Sequence, residues 1–447
     1  MKNINFINDL EIKKIIRDSE DVNIARAALE KAKEGKGLSP IQALALLENN
    51  DEQTNAEVEK LASQLKKKLY GMRVVLFAPI YLSNYCVNGC IYCPYHNKNL
   101  VNRRILNKTE IEQETRALLD MGHKRLVIEA GEDPERAPIE YILEAIKIIY
   151  GLEHKGASIR RLNINIAATS VENYALLKDA NIGTYILFQE TYLKEAYKKL
   201  HPSGPKSNYE YHLGAMDRAF QGGLEDVGIG ALFGLADYKY DLLGTLLHAE
   251  HLKREYGIGP HTISVPRIKG VKTDFGITDE KFLKLVAILR LAVPTAGIII
   301  STRESPEIRT RALALGATQI SAQSSTSVGG YANNKKSSAQ FELSDTRKLQ
   351  EVARALLEQN YLPSFCTACY ASGRKGKKFM ALAESGKIGD ICRANSLITL
   401  TEYLFDYADE ETRETGLLAI ESALRDGDDA LRKALERTRN GERGLSF

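Results

Sequence analysis

Six cysteines in 447 residues fall into two triplets, Cys86, Cys90, Cys93 and Cys366, Cys369, Cys392. The first has the spacing C-x3-C-x2-C, which on a loop can wrap one corner of an iron–sulfur cubane and give three thiolates to three irons. The fourth iron is then open, as a [4Fe-4S] cluster requires if it is to chelate S-adenosylmethionine (SAM) and reduce the sulfonium to a radical. A zinc knuckle or inert buried thiols are the alternatives, but zinc prefers four ligands, usually in paired C-x2-C units. The second triplet, C-x2-C-x22-C, again leaves one iron free, with a structural zinc or a damaged site as the alternative.

Other candidate groups are scattered and depend on the elements that carry them. With 44% hydrophobic and 27% charged residues, the chain can bury a large core, and its length predicts one big domain with additions. Net charge is +3 over 61 basic and 58 acidic residues, which gives no reason to expect nucleic acid or a membrane as partner. Met1 to Leu10 is polar, without the apolar core of a secretory signal, so a cytoplasmic location is expected. Thiols stay reduced there, and clustered cysteines read as metal ligands before disulfides.

Residues 1–70 read as a helical segment, in which Ser39-Pro40 sets a cap before a first-turn proline. From residue 73 short β-rich runs alternate with amphipathic stretches. Eight runs are predicted as strands: Val74 to Phe77, Leu126 to Glu129, Leu162 to Ile166, Tyr185 to Gln189, Val227 to Ala231, Thr262 to Val265, Ile298 to Ser301, and Gln319 to Ser321. The fold class expected is α/β: a TIM-like (β/α)8 barrel over 71–335, N-terminal helices, and a C-terminal helical iron–sulfur domain over 336–447. A partial or open barrel would give a similar pattern. Ser344-Asp345 should cap a helix carrying Leu349, Val352, Ala355 and Leu356, ended by Leu362-Pro363, and the tail from Arg437 to Phe447 should be frayed.

Barrel active sites lie at the carboxyl ends of the strands. The first cysteine loop follows the first run. After the second comes Gly131-Glu132-Asp133-Pro134, where glycine allows close backbone approach and a carboxylate could bind the ammonium of SAM; a plain turn with a helix cap is the alternative. Gln189 and Glu190 follow the fourth run, with catalytic and helix-capping roles both open. Arg303 follows the seventh and could hold a carboxylate in a bidentate fork, together with Ser321 at the end of the eighth; an arginine there could instead be a surface ion-pair partner. The loop Ser324 to Gly330 lacks the P-loop lysine and reads as cavity lining.

The stretches Tyr81 to Cys93, Phe188 to Tyr192, His201-Pro202-Ser203-Gly204-Pro205-Lys206, Gly230 to Leu235, Gly259 to Arg267, Ser301 to Ser305 and Cys366-Thr367-Ala368-Cys369-Tyr370 make a further point. From about residue 70 to 410 the chain resembles the aromatic amino-acid lyases of the radical SAM superfamily, most of all those of hydrogenase maturation. The resemblance implies that the Cys86, Cys90, Cys93 cluster cleaves SAM to a 5′-deoxyadenosyl radical, which takes hydrogen from the amino group of L-tyrosine. The Cα–Cβ bond then breaks to p-cresol and dehydroglycine, and the latter goes on to carbon monoxide and cyanide at the second site. Arg303 and Ser321 map onto the substrate-carboxylate positions, and Tyr92, Gly131, Glu132 and Thr169 are the expected cofactor contacts. The Cys366, Cys369, Cys392 site would hold an auxiliary [4Fe-4S] or [5Fe-5S] cluster with a labile iron and L-cysteine. His261 falls on the labile-iron ligand position, although a lone histidine beside a strand would otherwise read as a core residue. Hydrogenase-maturation proteins and an electron donor are the partners implied. A lyase that serves thiazole synthesis, or stops at tyrosine cleavage, and a non-catalytic iron–sulfur carrier remain as alternatives.

Overall fold

In the computed structural model, which describes residues 5–271, 273–332 and 338–447, all eight expected runs are strands. They are β1 (Arg73–Ser83), β2 (Arg125–Ala130), β3 (Arg161–Asn165), β4 (Tyr185–Ile186), β5 (Val227–Gly230), β6 (Thr262–Ser264), β7 (Gly297–Ile300) and β8 (Gln319–Ser321). Each pairs in parallel with its successor, and β8 returns to β1 through Val75↔Gln319, Leu76↔Ile320 and Phe77↔Ser321. The barrel is therefore closed, and no barrel strand is left as an edge. β4 is shorter than expected. Leu187 and Gln189 still donate their N–H groups to Gly228 and Gly230, but the chain splays toward the mouth, so Gln189 lies past the strand.

Helices between the strands cover the barrel's outer face, as parallel pairing requires. The helix Asp279–Ala292 is buried nearly all round, because the N-terminal helices Pro40–Glu48 and Glu52–Tyr70 pack on its far side. Pro40 occupies the first helical turn as expected, and the Ser39 N–H donates to Gln42 Oε1 at 3.1 Å.

Two C-terminal expectations change. The helix Leu349–Glu358 begins after Lys348, not Ser344-Asp345, because Asp345 is committed to Arg309 and Arg347. It ends well before Leu362-Pro363, which belongs to a ninth strand, β9 (Leu362–Ser364), paired in parallel with Arg73 to Val75. β1 has eleven residues, and β2 uses only its second half, from Ala78; β9 takes the first. The tail is anchored, not frayed: the Gly444 N–H donates to Glu402 Oε1 at 2.6 Å and the Phe447 N–H to Asn395 Oδ1 at 2.9 Å. The boundary expected at 335/336 falls outside the described residues. Among the described residues no helix is long and apolar enough to cross a membrane.

Candidate active site

Cys86, Cys90 and Cys93 lie on the loop that leaves β1 at the carboxyl end of the barrel, and all three border one cavity of about 250 Å³. Backbone hydrogen bonds to two other segments fix the loop: Val87 N–H to Glu132 O (2.8 Å), Gly89 N–H to Ser203 O and Ile91 N–H to Leu200 O (both 3.0 Å). Asn88 is the hinge pin. Its Nδ2 donates to Glu132 Oε2 at 2.6 Å and toward Cys86 Sγ at 3.7 Å, while its Oδ1 accepts the Lys206 N–H at 2.9 Å.

Two glycines allow this close approach. A Cβ at Gly131 would meet Tyr85 O at 2.2 Å, and one at Gly204, whose φ is 88°, would meet Asn88 Cα at 2.7 Å. The stretch 201–206 therefore brackets the cysteine loop from outside, and His201 Nε2 shares a 2.9 Å hydrogen bond with the Tyr92 hydroxyl.

The donor set fits a cationic cluster. Burial pushes the Cys90 and Cys93 thiols up to about 12 and about 11, so thiolates here call for strongly electrophilic partners such as irons. Among the described residues no group of three His, Cys, Asp or Glu side chains gathers as it would around a single metal ion.

Arg303 and Ser321 face the same cavity. The Arg303 guanidinium stacks over the Phe341 ring at 3.7 Å. The neighbouring Glu304 is held by Arg267 and Lys269. Arg309 pins the Ser321 carbonyl from behind. Tyr92, Gly131, Glu132 and Glu190 also line the cavity. Gln189 and Thr169 do not: Gln189 is buried behind the mouth, and Thr169 is engaged by Asn173 at 2.7 Å and by Arg218 at 2.8 Å.

Residues that sequence reasoning passed over complete the lining. Lys206 Nζ pairs with Glu190 Oε1 at 2.6 Å. Glu129, at the end of β2, accepts from Asn165 Nδ2 at 3.1 Å, and burial pushes its carboxyl up to about 8. A charged residue ending an otherwise apolar strand was the signal for it.

Cys366, Cys369, Cys392 and His261 border a second, smaller cavity of about 40 Å³. It lies at the opposite end of the barrel, since its other walls are the first residues of strands: Arg73, Arg125, Arg161, Gly297 and Gln319. β9 delivers Cys366 there. Burial lowers His261 to about 4, so the ring is neutral, with Phe379 packed against it at 4.7 Å between centroids. Its Nδ1 lies 3.8 Å from Asp226 Oδ1, too far for a hydrogen bond. Gln319 borders both cavities, and room for its amide is left by Gly297, where a Cβ would come within 2.6 Å of Gln319 Nε2.

Residues 80–245 match the model of the radical SAM superfamily and residues 264–362 that of the biotin and thiamin synthesis associated domain. The crystal structure of HydG, a maturase of the [FeFe]-hydrogenase, is 47% identical and superposes with a TM-score of 0.96 over 99% of this chain and 100% of that one. The chain belongs to the radical SAM superfamily, in the family of HydG. HydG from Carboxydothermus hydrogenoformans is 36% identical with a TM-score of 0.84, covering 97% of this chain and 99% of that one. The 2-iminoacetate synthase of Salmonella typhimurium is 29% identical over 342 residues, 75% of this chain and 89% of that protein. The chain is thus a radical SAM enzyme, and membership implies a [4Fe-4S] cluster and SAM.

Proposed function

We propose that this enzyme cleaves the Cα–Cβ bond of L-tyrosine to p-cresol and dehydroglycine, and that the dehydroglycine is converted to carbon monoxide and cyanide at the opposite end of the barrel for hydrogenase maturation. One observation carries the reading: the Cys86, Cys90, Cys93 loop, Arg303 and Ser321 border one cavity, and a second cysteine triplet with His261 borders another across the barrel. The likeness to HydG, which spans nearly all of both chains, supports it.

In this mechanism Cys86, Cys90 and Cys93 hold the cluster, and Gly131, Glu132 and Tyr92 meet SAM. When bound, the cluster and SAM supply a hydrogen-abstracting 5′-deoxyadenosyl radical. Arg303 and Ser321 take the tyrosine carboxylate, the arginine through its paired donors. The Phe341 ring holds the guanidinium plane in place, and the apolar walls Phe77, Val127 and Ile299 keep water from the reacting carbon. Cys366, Cys369 and Cys392 would hold the auxiliary cluster and His261 would serve its labile iron, a site that with L-cysteine would supply the chemistry for converting dehydroglycine. An electron donor and other maturation proteins are the partners.

The second reading is a lyase that stops at tyrosine cleavage, as the 29% identity to a 2-iminoacetate synthase allows. Reconstituted, reduced protein incubated anaerobically with SAM and L-tyrosine should release 5′-deoxyadenosine and p-cresol, with carbon monoxide trapped by haemoglobin. p-Cresol without carbon monoxide selects the second reading, and no p-cresol at all leaves an iron–sulfur carrier.

A further inference from the structure

Three carboxylates border the large cavity, Glu129, Glu132 and Glu190. Glu190 is neutralised by Lys206 at 2.6 Å, and Glu132 faces the cysteine loop through Asn88 at 2.6 Å. Glu129 differs from both. It accepts one hydrogen bond, from the neutral amide of Asn165, and its other oxygen faces the cavity with no partner among the described residues.

Across the cavity stands Arg303, whose charge reaches Glu129. Ser321 and Glu129 lie on the two strands that flank β1, each in register with it, at Phe77 and Tyr81. An amino acid enters as a zwitterion, and burying its ammonium without an anion is costly. Arg303 answers the carboxylate; among the described residues that border the cavity, Glu129 is the one uncommitted carboxyl for the other charge. Abstraction of hydrogen from nitrogen also calls for a neutral amine, because an ammonium has no lone pair to stabilise the radical left behind.

We propose that Glu129 receives the α-ammonium group of the bound amino acid and removes one of its protons, presenting the neutral amine to the abstraction step. This rests on the tyrosine-lyase reading. Burial leaves Glu129 largely protonated at pH 7 while the site is empty, and that proton leaves to solvent as the incoming ammonium favours the ionised carboxylate beside it. One N–H bond then breaks heterolytically, its electron pair stays on nitrogen, and the proton passes to the free carboxylate oxygen of Glu129, where it remains until product leaves and solvent re-enters. The surroundings suit a proton resting there. Besides Arg303 and Glu190, the titratable groups facing Glu129 are Tyr81 from β1 and Tyr95 from the cysteine loop, and burial pushes both phenols up, so they stay neutral. The same burial favours the uncharged carboxyl, bringing its proton affinity closer to that of an amine.

Glu129→Gln keeps the shape and the Asn165 contact but cannot take a proton. In reconstituted enzyme at pH 7, p-cresol formation should fall about a hundredfold, the scale of a lost general base. It should then climb with pH, about tenfold per unit, as free tyrosine loses its own ammonium proton, since one proton is at stake. Tyrosine binding, followed by equilibrium dialysis, should weaken at pH 7 and recover over the same range. Glu129→Asp retains a base and should show no such climb. A glutamine variant with the wild-type rate, or one that is slow at every pH without recovery, overturns the proposal while the lyase reading stands. A wild type that makes no p-cresol removes both.

Discussion

Glu190 holds a left-handed backbone conformation, φ 68°, which costs a non-glycine residue about 1 kcal/mol or more and persists only where the surroundings impose it. They do so here from both sides. The Leu232 N–H donates to Glu190 O at 2.9 Å, and Asp241, on the helix Tyr238–Tyr256, accepts from the Thr191 hydroxyl and the Tyr192 N–H, both at 2.8 Å. The turn aims the Glu190 carboxylate at Lys206. Lys206→Met would leave that carboxylate uncompensated beside the cavity, and a loss of about 3 kcal/mol is expected in anaerobic denaturant unfolding. Asp241 carries a pH signature. Burial pushes its carboxyl up to about 7, so the folded protein holds this proton more tightly than the unfolded chain. Its contribution is complete below the ordinary carboxyl range and is lost as pH rises through 7. Asp241→Asn removes that charge, so its stability relative to wild type should improve by roughly 2 kcal/mol between pH 5.5 and 8.5. A constant difference across that range would mean that Asp241 stays ionised.

At the scale of elements, the length of β1 does more than close the barrel. Its second half pairs with β2 and ends in the first cysteine loop, while its first half pairs with β9 and brings Cys366 to the other end. The loop after β2 then locks the first cysteines through Gly131. Gly131→Ala places a methyl carbon into the Tyr85 carbonyl, an overlap that costs about 1–3 kcal/mol if the loop yields. The expected outcome is loss of the paramagnetic signal of the first cluster on reduction with that of the auxiliary cluster retained; two intact signals would show that the loop adapts. The barrel strands were legible because each is a short β-branched or apolar run between amphipathic helices. β9 was not, because Pro363 reads as a stop, yet in β9 it pairs with Val74 at the edge of the sheet. The expected cap at Asp345 failed for a tertiary reason: its carboxylate is drawn to Arg309 and Arg347 from outside the local sequence. The cysteines and Arg303 could be found from type and spacing. Asn88 and Lys206 could not, since their contacts cross between loops of different strands, while Glu129 showed only as a charge closing an apolar strand, with nothing local to point to Asn165 on the next one.

At the scale of the whole molecule, the two cysteine triplets sit at opposite mouths of one barrel, and Gln319 borders both cavities, its Oε1 accepting from Arg125 at 3.3 Å. Neither triplet lends a side chain to the lining of the other's cavity. Under the proposed function, radical chemistry belongs to the carboxyl end and conversion of dehydroglycine to the amino end, so damage at one end should leave the other's chemistry in place. Cys366→Ala with Cys369→Ala removes two of the three auxiliary thiolates and replaces no residue that borders the large cavity. p-Cresol formation should persist near the wild-type rate while haemoglobin traps no carbon monoxide. His261→Ala leaves the thiolates in place and should give the same pattern in a milder form, with carbon monoxide reduced and p-cresol unchanged. Iron quantitation and paramagnetic resonance on each variant establish that the first cluster is intact. Should the cysteine variant lose both products while that cluster is present, the two ends act as one catalytic unit. A fully active His261→Ala enzyme would restrict that histidine to packing against Phe379.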